Sequence, residues 1–271
     1  MGNLAYNDAS LYNWEVSDML PAFDLTGKVA IVTGATRGIG RGLAEGLAQA
    51  GANIVVVSRN KTECEQAAAE IAALGVKTLA VPADITKLAD IQQLVAKTLE
   101  VFPVIDILVN NAGNALTRRA EEVTEEDWDH VVNLDLKGVF FCCQAVGREM
   151  IKQNHGKIIN VSSILGLVGE KMVAPYCAAK GGVIQMTKAL ALEWARYHIQ
   201  VNALCPGYVE TAINAEELKN EKVRQYLVGK TAAKRLGKVE DMQGAVVYMA
   251  SAAANYMTGQ VMTVDGGWSA Q

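Results

Sequence analysis

The sequence predicts an α/β fold, a doubly wound and mostly parallel sheet of about seven strands with helices on both faces. Three observations predict it. Short apolar runs, among them Val29-Ala30-Ile31-Val32 and Ile54-Val55-Val56-Val57, alternate along the chain with segments of helical composition. The runs are continuously apolar, which marks strands buried on both faces of a sheet. A glycine-rich stretch falls at the first strand-to-helix junction. Alternation with crossovers of this length gives a right-handed parallel sheet covered by helices.

The elements follow in order. A strand over 28–33 leads into a helix over 38–50, and a Val- and Ile-rich strand over 53–57 into a helix over 61–74 that stops at Gly75, a C-terminal cap signal. Strands over 76–81 and 105–109 flank a helix over 87–102. A long helical region covers 125–153. A strand over 157–161, a helix over 175–197, a strand over 200–203 and a last strand over 261–264 complete the pattern. No repeat, low-complexity tract or linker interrupts it. The expected organisation is an N-terminal arm over 1–24 and one catalytic domain over 25–271, with a small lid near 208–229. The arm carries Tyr6, Tyr12 and Trp14. Either it has no fixed structure or its aromatics pack on a neighbouring subunit.

Composition narrows the function classes. The chain has 271 residues, 51% hydrophobic and 20% charged, enough to bury a core without metal or disulfide. Lys and Arg total 25 against 29 Asp and Glu, a net charge of -4, which argues against a nucleic-acid partner. The five cysteines, Cys64, Cys142, Cys143, Cys177 and Cys205, are odd in number and scattered. They form neither a disulfide framework nor a zinc site, so no metal is expected and a reducing compartment is. No secretory signal, myristoylation signal or membrane-length apolar stretch is present in the sequence, so the expected location is cytoplasmic.

The glycines Gly34, Gly38 and Gly40 sit in Thr33-Gly34-Ala35-Thr36-Arg37-Gly38-Ile39-Gly40. They suit a tight turn, close approach to a pyrophosphate and close helix packing, with the helix N-terminus facing phosphate. The spacing, G-x-x-x-G-x-G, differs from the usual dinucleotide fingerprint. At the end of the second strand, an Asp would bind the ribose 2′-hydroxyl of NAD. Ser58-Arg59-Asn60 stands there instead. Arg59, Ser58 and Arg37 suit a 2′-phosphate, which favours NADP(H) over NAD.

Tyr176 and Lys180 form Y-x-x-x-K on one face of a helix. A phenol serves as acid–base only if its anion is stabilised, and a nearby ammonium does that. Ser162-Ser163 and Asn110-Asn111-Ala112-Gly113 each follow an apolar strand, at the strand ends where open sheets place their sites.

Taken together in this order, these motifs and Pro206-Gly207 resemble the short-chain dehydrogenase/reductase family, with its Rossmann-type sheet, over residues 24–268. The similarity is to the group that includes ketoacyl-thioester reductases, gluconate 5-dehydrogenase-like enzymes, tropinone reductases and secondary-alcohol dehydrogenases. The resemblance implies Tyr176 as acid–base and Ser163, rather than Ser162, as the group orienting the substrate oxygen. Lys180 would hold the nicotinamide ribose and lower the tyrosine pKa. It further implies that Asp84, with Ile85, meets the adenine and that Asn110, Asn111, Ala112 and Gly113 line the cofactor channel. Pro206, Gly207, Val209 and Thr211 would lie beside the nicotinamide, and Thr36, Ile39 and Asn60 complete the cofactor set. One position departs: the family's fourth catalytic residue is Asn, and aligning on Gly138 puts Asp135 there. Asp135 would accept hydrogen bonds and attract Lys180, so activity is expected with a perturbed proton relay.

The expected reaction is interconversion of a ketone and a secondary alcohol with NADP(H). The alternatives are an oxoacyl-thioester reductase, a sugar-acid oxidoreductase, or a non-catalytic dinucleotide-binding protein. Substrate choice is expected from 114–119, 164–173 and 208–229. Their apolar residues, including Ile164, Leu165, Leu167, Val168 and Met172, suit a medium-sized apolar substrate, whereas Arg118, Arg119, Glu170 and Lys171 leave a sugar acid or polyol open. The resemblance implies a homotetramer.

Overall fold

A computed structural model describes residues 21–211 and 214–270. Most of the expected arm therefore lies outside the described residues. Seven strands form one sheet: β1 (Val29–Thr33), β2 (Asn53–Ser58), β3 (Thr78–Pro82), β4 (Ile107–Asn110), β5 (Gly156–Val161), β6 (Ile199–Pro206) and β7 (Val261–Val264). Their order is β3-β2-β1-β4-β5-β6-β7, and every pairing is parallel. The strand order reverses between β1 and β4, which opens a crevice at the carboxyl ends of the strands.

The helices are α1 (Gly38–Gln49), α2 (Lys61–Ala72), α3 (Leu88–Val101), α4 (Glu125–Val132), α5 (Val139–Gln153), α6 (Ala174–Trp194), α7 (Glu221–Lys230) and α8 (Gln243–Ala250). The twofold alternation of strand side chains divides the core into two layers. Ala30 and Val32 of β1 join Leu43, Leu47, Ile71 and Val246 on one face. Val29 and Ile31 join Leu94, Val146, Met150 and Val183 on the other. Each such fully buried aliphatic side chain stabilises the fold by roughly 1.5–3 kcal/mol.

Three features differ from the expectation. The region 125–153 is not one helix: a π-helical turn over Asn133–Gly138 separates α4 from α5. Gly138 packs so closely there that a Cβ would lie 2.7 Å from the Ile85 carbonyl oxygen. The last strand pair lengthens β6 to Pro206, because Leu204 and Pro206 register with Met262 and Val264 of β7. The helix α8 was not expected. After Gln243 it carries no strongly polar residue, so no polar face marks its period. It packs against α1 where Gly46 leaves room, a Cβ there falling 2.9 Å from Gln243 Cβ.

Candidate active site

The carboxyl ends of β1, β2, β4, β5 and β6 open into one cavity of about 650 Å³. At one end glycines bring bare backbone into its wall. Gly34 adopts a left-handed φ of +67° that favours glycine. A Cβ on Gly40 would sit 2.3 Å from the Gly34 carbonyl oxygen, so α1 can approach the loop this closely only without a side chain. Gly38, also at positive φ, turns the chain into α1 but does not itself line the cavity. Asn111 fixes this loop to β4. Its Nδ2 donates to the Thr33 carbonyl oxygen at 3.1 Å, while the Asn111 and Ala112 backbone N–H groups donate to Thr33 Oγ1 at 3.0 and 3.1 Å. Thr36, Arg37, Ile39, Ser58, Arg59, Asn60, Asp84 and Ile85 all line the same end.

Arg37 and Arg59 are exposed and make no ion pair with a carboxylate among the described residues. The Asn60 side chain caps α2, its Oδ1 accepting from the Glu63 N–H at 3.2 Å. Asp84 accepts from the Thr86 N–H and hydroxyl at 3.1 and 2.7 Å. Although burial raises its pKa, those bonds and the nearby Lys87 and Arg59 charges hold the carboxyl below its ordinary range.

At the other end, side chains converge. Pro175, in the first turn of α6, is a residue that suits a helix start; Tyr176 follows it directly and Lys180 comes one turn later. The Lys180 ammonium lies 5.5 Å from the Tyr176 ring centre and donates to the Val161 carbonyl oxygen at 3.1 Å. Ser163 lines the cavity, and its Oγ accepts from the Leu165 N–H. The neighbouring Ser162 is buried and its hydroxyl is committed to the Lys180 carbonyl oxygen at 2.8 Å. It therefore holds α6 to β5.

Asp135 stands behind the wall, turned inward by the π-helical turn and fully buried. Its Oδ1 pairs with Lys180 Nζ at 3.1 Å, and its Oδ2 accepts from the Asn114 N–H at 2.9 Å. Gly113 is the gap through which the pair meets, since a Cβ there would lie 2.4 Å from Asp135 Oδ1. Burial lifts the Asp135 carboxyl above its usual range, against the pull of Lys180 and the Asn114 N–H. Burial also depresses the Lys180 ammonium, but the Tyr176 oxygen and Asp135 outweigh it and hold the lysine above its ordinary value.

Lys180 draws the Tyr176 pKa down, although burial, aided by the Asp135 charge, outweighs it for a net upward shift. One expectation is corrected. Asn110 does not line the cavity. Its Nδ2 donates to Asn160 Oδ1 at 2.9 Å inside the core beside Cys143. Strand alternation carries the signal: Val109 faces the α1 layer and Leu108 the α5 layer, so Asn110 returns to the α5 side.

Pro206, Gly207, Val209 and Thr211 line the cavity. A Cβ on Gly207 would lie 2.7 Å from Asp265 Cα, so this loop too depends on a bare backbone. Its brace is Asn214, which sequence reasoning missed. Asn214 Oδ1 accepts from the Thr211 N–H at 2.9 Å, and its Nδ2 donates to the Val209 carbonyl oxygen at 2.8 Å. Glu63 and Leu134 were missed as well. They reach the wall from helix positions that no local motif marks. Of the expected substrate segments, Leu165, Val173, Leu218 and Leu227 line the cavity, whereas Leu167 and Met172 are exposed at the surface.

The model of the short chain dehydrogenase family matches residues 28–222. The 2-dehydro-3-deoxy-D-gluconate 5-dehydrogenase of Escherichia coli strain K12 is 43% identical over 255 residues, 93% of this chain and 100% of that protein. A 3-oxoacyl-[acyl-carrier-protein] reductase of Synechocystis is 41% identical over 90% of this chain and 97% of its own length. A crystal structure of a gluconate 5-dehydrogenase from Burkholderia cenocepacia J2315, in complex with NADP and tartrate, superposes with a TM-score of 0.89. It is 38% identical over 92% of this chain and 98% of that one. Motif order, sheet topology, cavity and these likenesses agree: the chain belongs to the short chain dehydrogenase family.

Proposed function

We propose that this protein is an NADP(H)-dependent oxidoreductase that interconverts a ketone and a secondary alcohol, with Tyr176 as acid–base. The observation that carries this reading is the meeting, in one cavity, of a backbone cradle with Ser163, Tyr176 and Lys180. The cradle fits a dinucleotide. Gly34 and Gly40 leave backbone room for a pyrophosphate at the start of α1. Arg37 and Arg59 suit a 2′-phosphate, and the NADP bound in the Burkholderia relative supports the same preference. Asp84 and Ile85 would flank the adenine, and Gly113, Val209 and Thr211 the nicotinamide.

When bound, the cofactor supplies or accepts the hydride. The chain's own residues position the substrate and move the proton. Ser163 Oγ and Tyr176 Oη hold the substrate oxygen. Tyr176 donates its proton as a carbonyl becomes an alkoxide, or removes one from an alcohol in reverse. The Lys180 charge stabilises the phenolate left behind. Asp135 and the Val161 carbonyl fix the lysine, and Ser162 fixes the helix that carries it. The relatives' activities, on a sugar acid and on an acyl-carrier substrate, share this reaction class and differ in substrate.

The same reading places the protein in the cytoplasm as a homotetramer. The free cysteines support the first, four of them buried. Exposed Trp128 of α4 and Leu192 of α6 support the second. Among the described residues no helix is long and apolar enough to cross a membrane. The test is Tyr176→Phe, which is expected to lower kcat at least a thousandfold while NADPH still binds, as followed by nucleotide fluorescence. Turnover within tenfold of wild type contradicts the mechanism.

A further inference from the structure

We infer that the substrate of this site is an electrically neutral, hydroxylated ketone or alcohol rather than a sugar acid, an inference that rests on the oxidoreductase reading above. The substrate half of the cavity is walled by Asn114, Thr117, Leu165, Val173, Leu218 and Leu227. All are uncharged. Among the described residues lining the cavity, the ionisable side chains other than the tyrosines are Arg37, Arg59, Glu63 and Asp84 at the far, cofactor end, and Lys180 at the reacting end.

Four cations on the elements around the substrate half are each matched to a carboxylate, while Arg119 and Lys171 of the flanking loops do not line the cavity. Asp135 lies 3.1 Å from Lys180 and cancels its charge within the protein. An Asn at that position would leave the lysine uncompensated. Arg118 is paired with Asp127 and Arg224 with Glu210. Lys230 lies 3.3 Å from Glu170. A substrate carboxylate would therefore leave water for a wall of leucines and a valine without a counter-charge, which is unfavourable.

A hydroxyl finds better partners. Thr117 both donates and accepts. The Asn114 amide nitrogen lies 3.0 Å from His130 Nε2, which orients the amide and leaves its oxygen to accept from a substrate hydroxyl. The apolar remainder of the wall suits the carbon face of a medium-sized polyol chain.

The test uses the full-length wild-type protein with NADPH and the most active ketone scaffold from a substrate screen. That scaffold is compared with a terminal carboxylate and with the corresponding primary amide, which match in size and differ in charge. The amide is expected to show a kcat/KM at least tenfold above the acid, mainly through KM. An acid equal to or better than its amide overturns the inference. Absence of turnover with every ketone in the screen would instead overturn the oxidoreductase reading. In Thr117→Arg, the acid is expected to gain at least tenfold relative to the amide. An unchanged ratio in a folded variant contradicts the claim that charge at this wall selects the substrate.

Discussion

The two halves of the cavity are made of different material. The cofactor half is built around bare backbone at four points: Gly34, Gly40, Gly113 and Gly207 stand where a Cβ would strike neighbouring atoms within 3 Å. The substrate half is mostly side chain, carried on loops and on α7. Backbone geometry cannot be adjusted one atom at a time, so the first half tolerates little. Side chains can be exchanged singly, so the second half can change its substrate while the reaction is kept. That contrast accounts for a chain similar to relatives with distinct substrates.

The sharpest way to break the contrast is a glycine pair. Gly40→Ala is expected to weaken NADPH binding at least a hundredfold by calorimetry, since its Cβ would meet the Gly34 carbonyl oxygen at 2.3 Å. Gly169→Ala, in the loop beside the substrate half, has nothing within 4 Å of the added carbon. It should leave both binding and turnover within twofold of wild type. Comparable losses in the two variants would erase the distinction.

Next in size is the charge at the cofactor end. Arg37→Ala and Arg59→Ala should each raise the KM for NADPH about tenfold, the scale of a lost charge-assisted hydrogen bond, with little change for NADH. Equal effects on both nucleotides would place these arginines elsewhere than at a 2′-phosphate.

At the seam between the halves, Asp135→Asn tests the coupling. The Asp135 charge helps to raise the Tyr176 pKa, while Lys180 lowers it. Removing the anion therefore lowers that pKa, and the tyrosine ionises at lower pH. The acid limb of the pH profile for alcohol oxidation should move to lower pH, with kcat at its plateau changed by less than about tenfold. A shift to higher pH contradicts the ion-pair assignment.

The smallest effect belongs to the outer edge. Glu170 joins the 164–173 loop to α7, accepting from Tyr226 Oη and Lys230 Nζ, both at 3.3 Å. Glu170→Gln should change substrate KM by less than about threefold, as surface ion pairs contribute little.

The backbone-built half was also the legible half. Gly34 and Gly40 announce themselves because a turn and a close helix approach restrict residue choice locally. Continuous apolar strands likewise report a two-sided burial that any window reveals. Tyr176 and Lys180 are readable because helical spacing alone brings them to one face. The remainder has no such local rule. Asp135 is reached only through the resemblance, because it is turned inward by a π-helical turn that no periodicity signals. Asn214 braces Thr211 and Val209, three and five residues before it, a loop contact that no helix or strand period marks. Ser162 and Ser163 are neighbours of the same type: the resemblance favours Ser163, and the Lys180 carbonyl that Ser162 occupies supplies the physical reason. The net direction of the Tyr176 shift lies beyond local reading because burial is a property of the assembled site.

The central claim is that the cofactor end is built for a 2′-phosphate. Its most direct test is the ratio of kcat/KM for NADPH to that for NADH, measured with the wild-type protein and one neutral ketone at fixed ionic strength. The account predicts that NADPH exceeds NADH at least tenfold; a tenfold preference for NADH would contradict it.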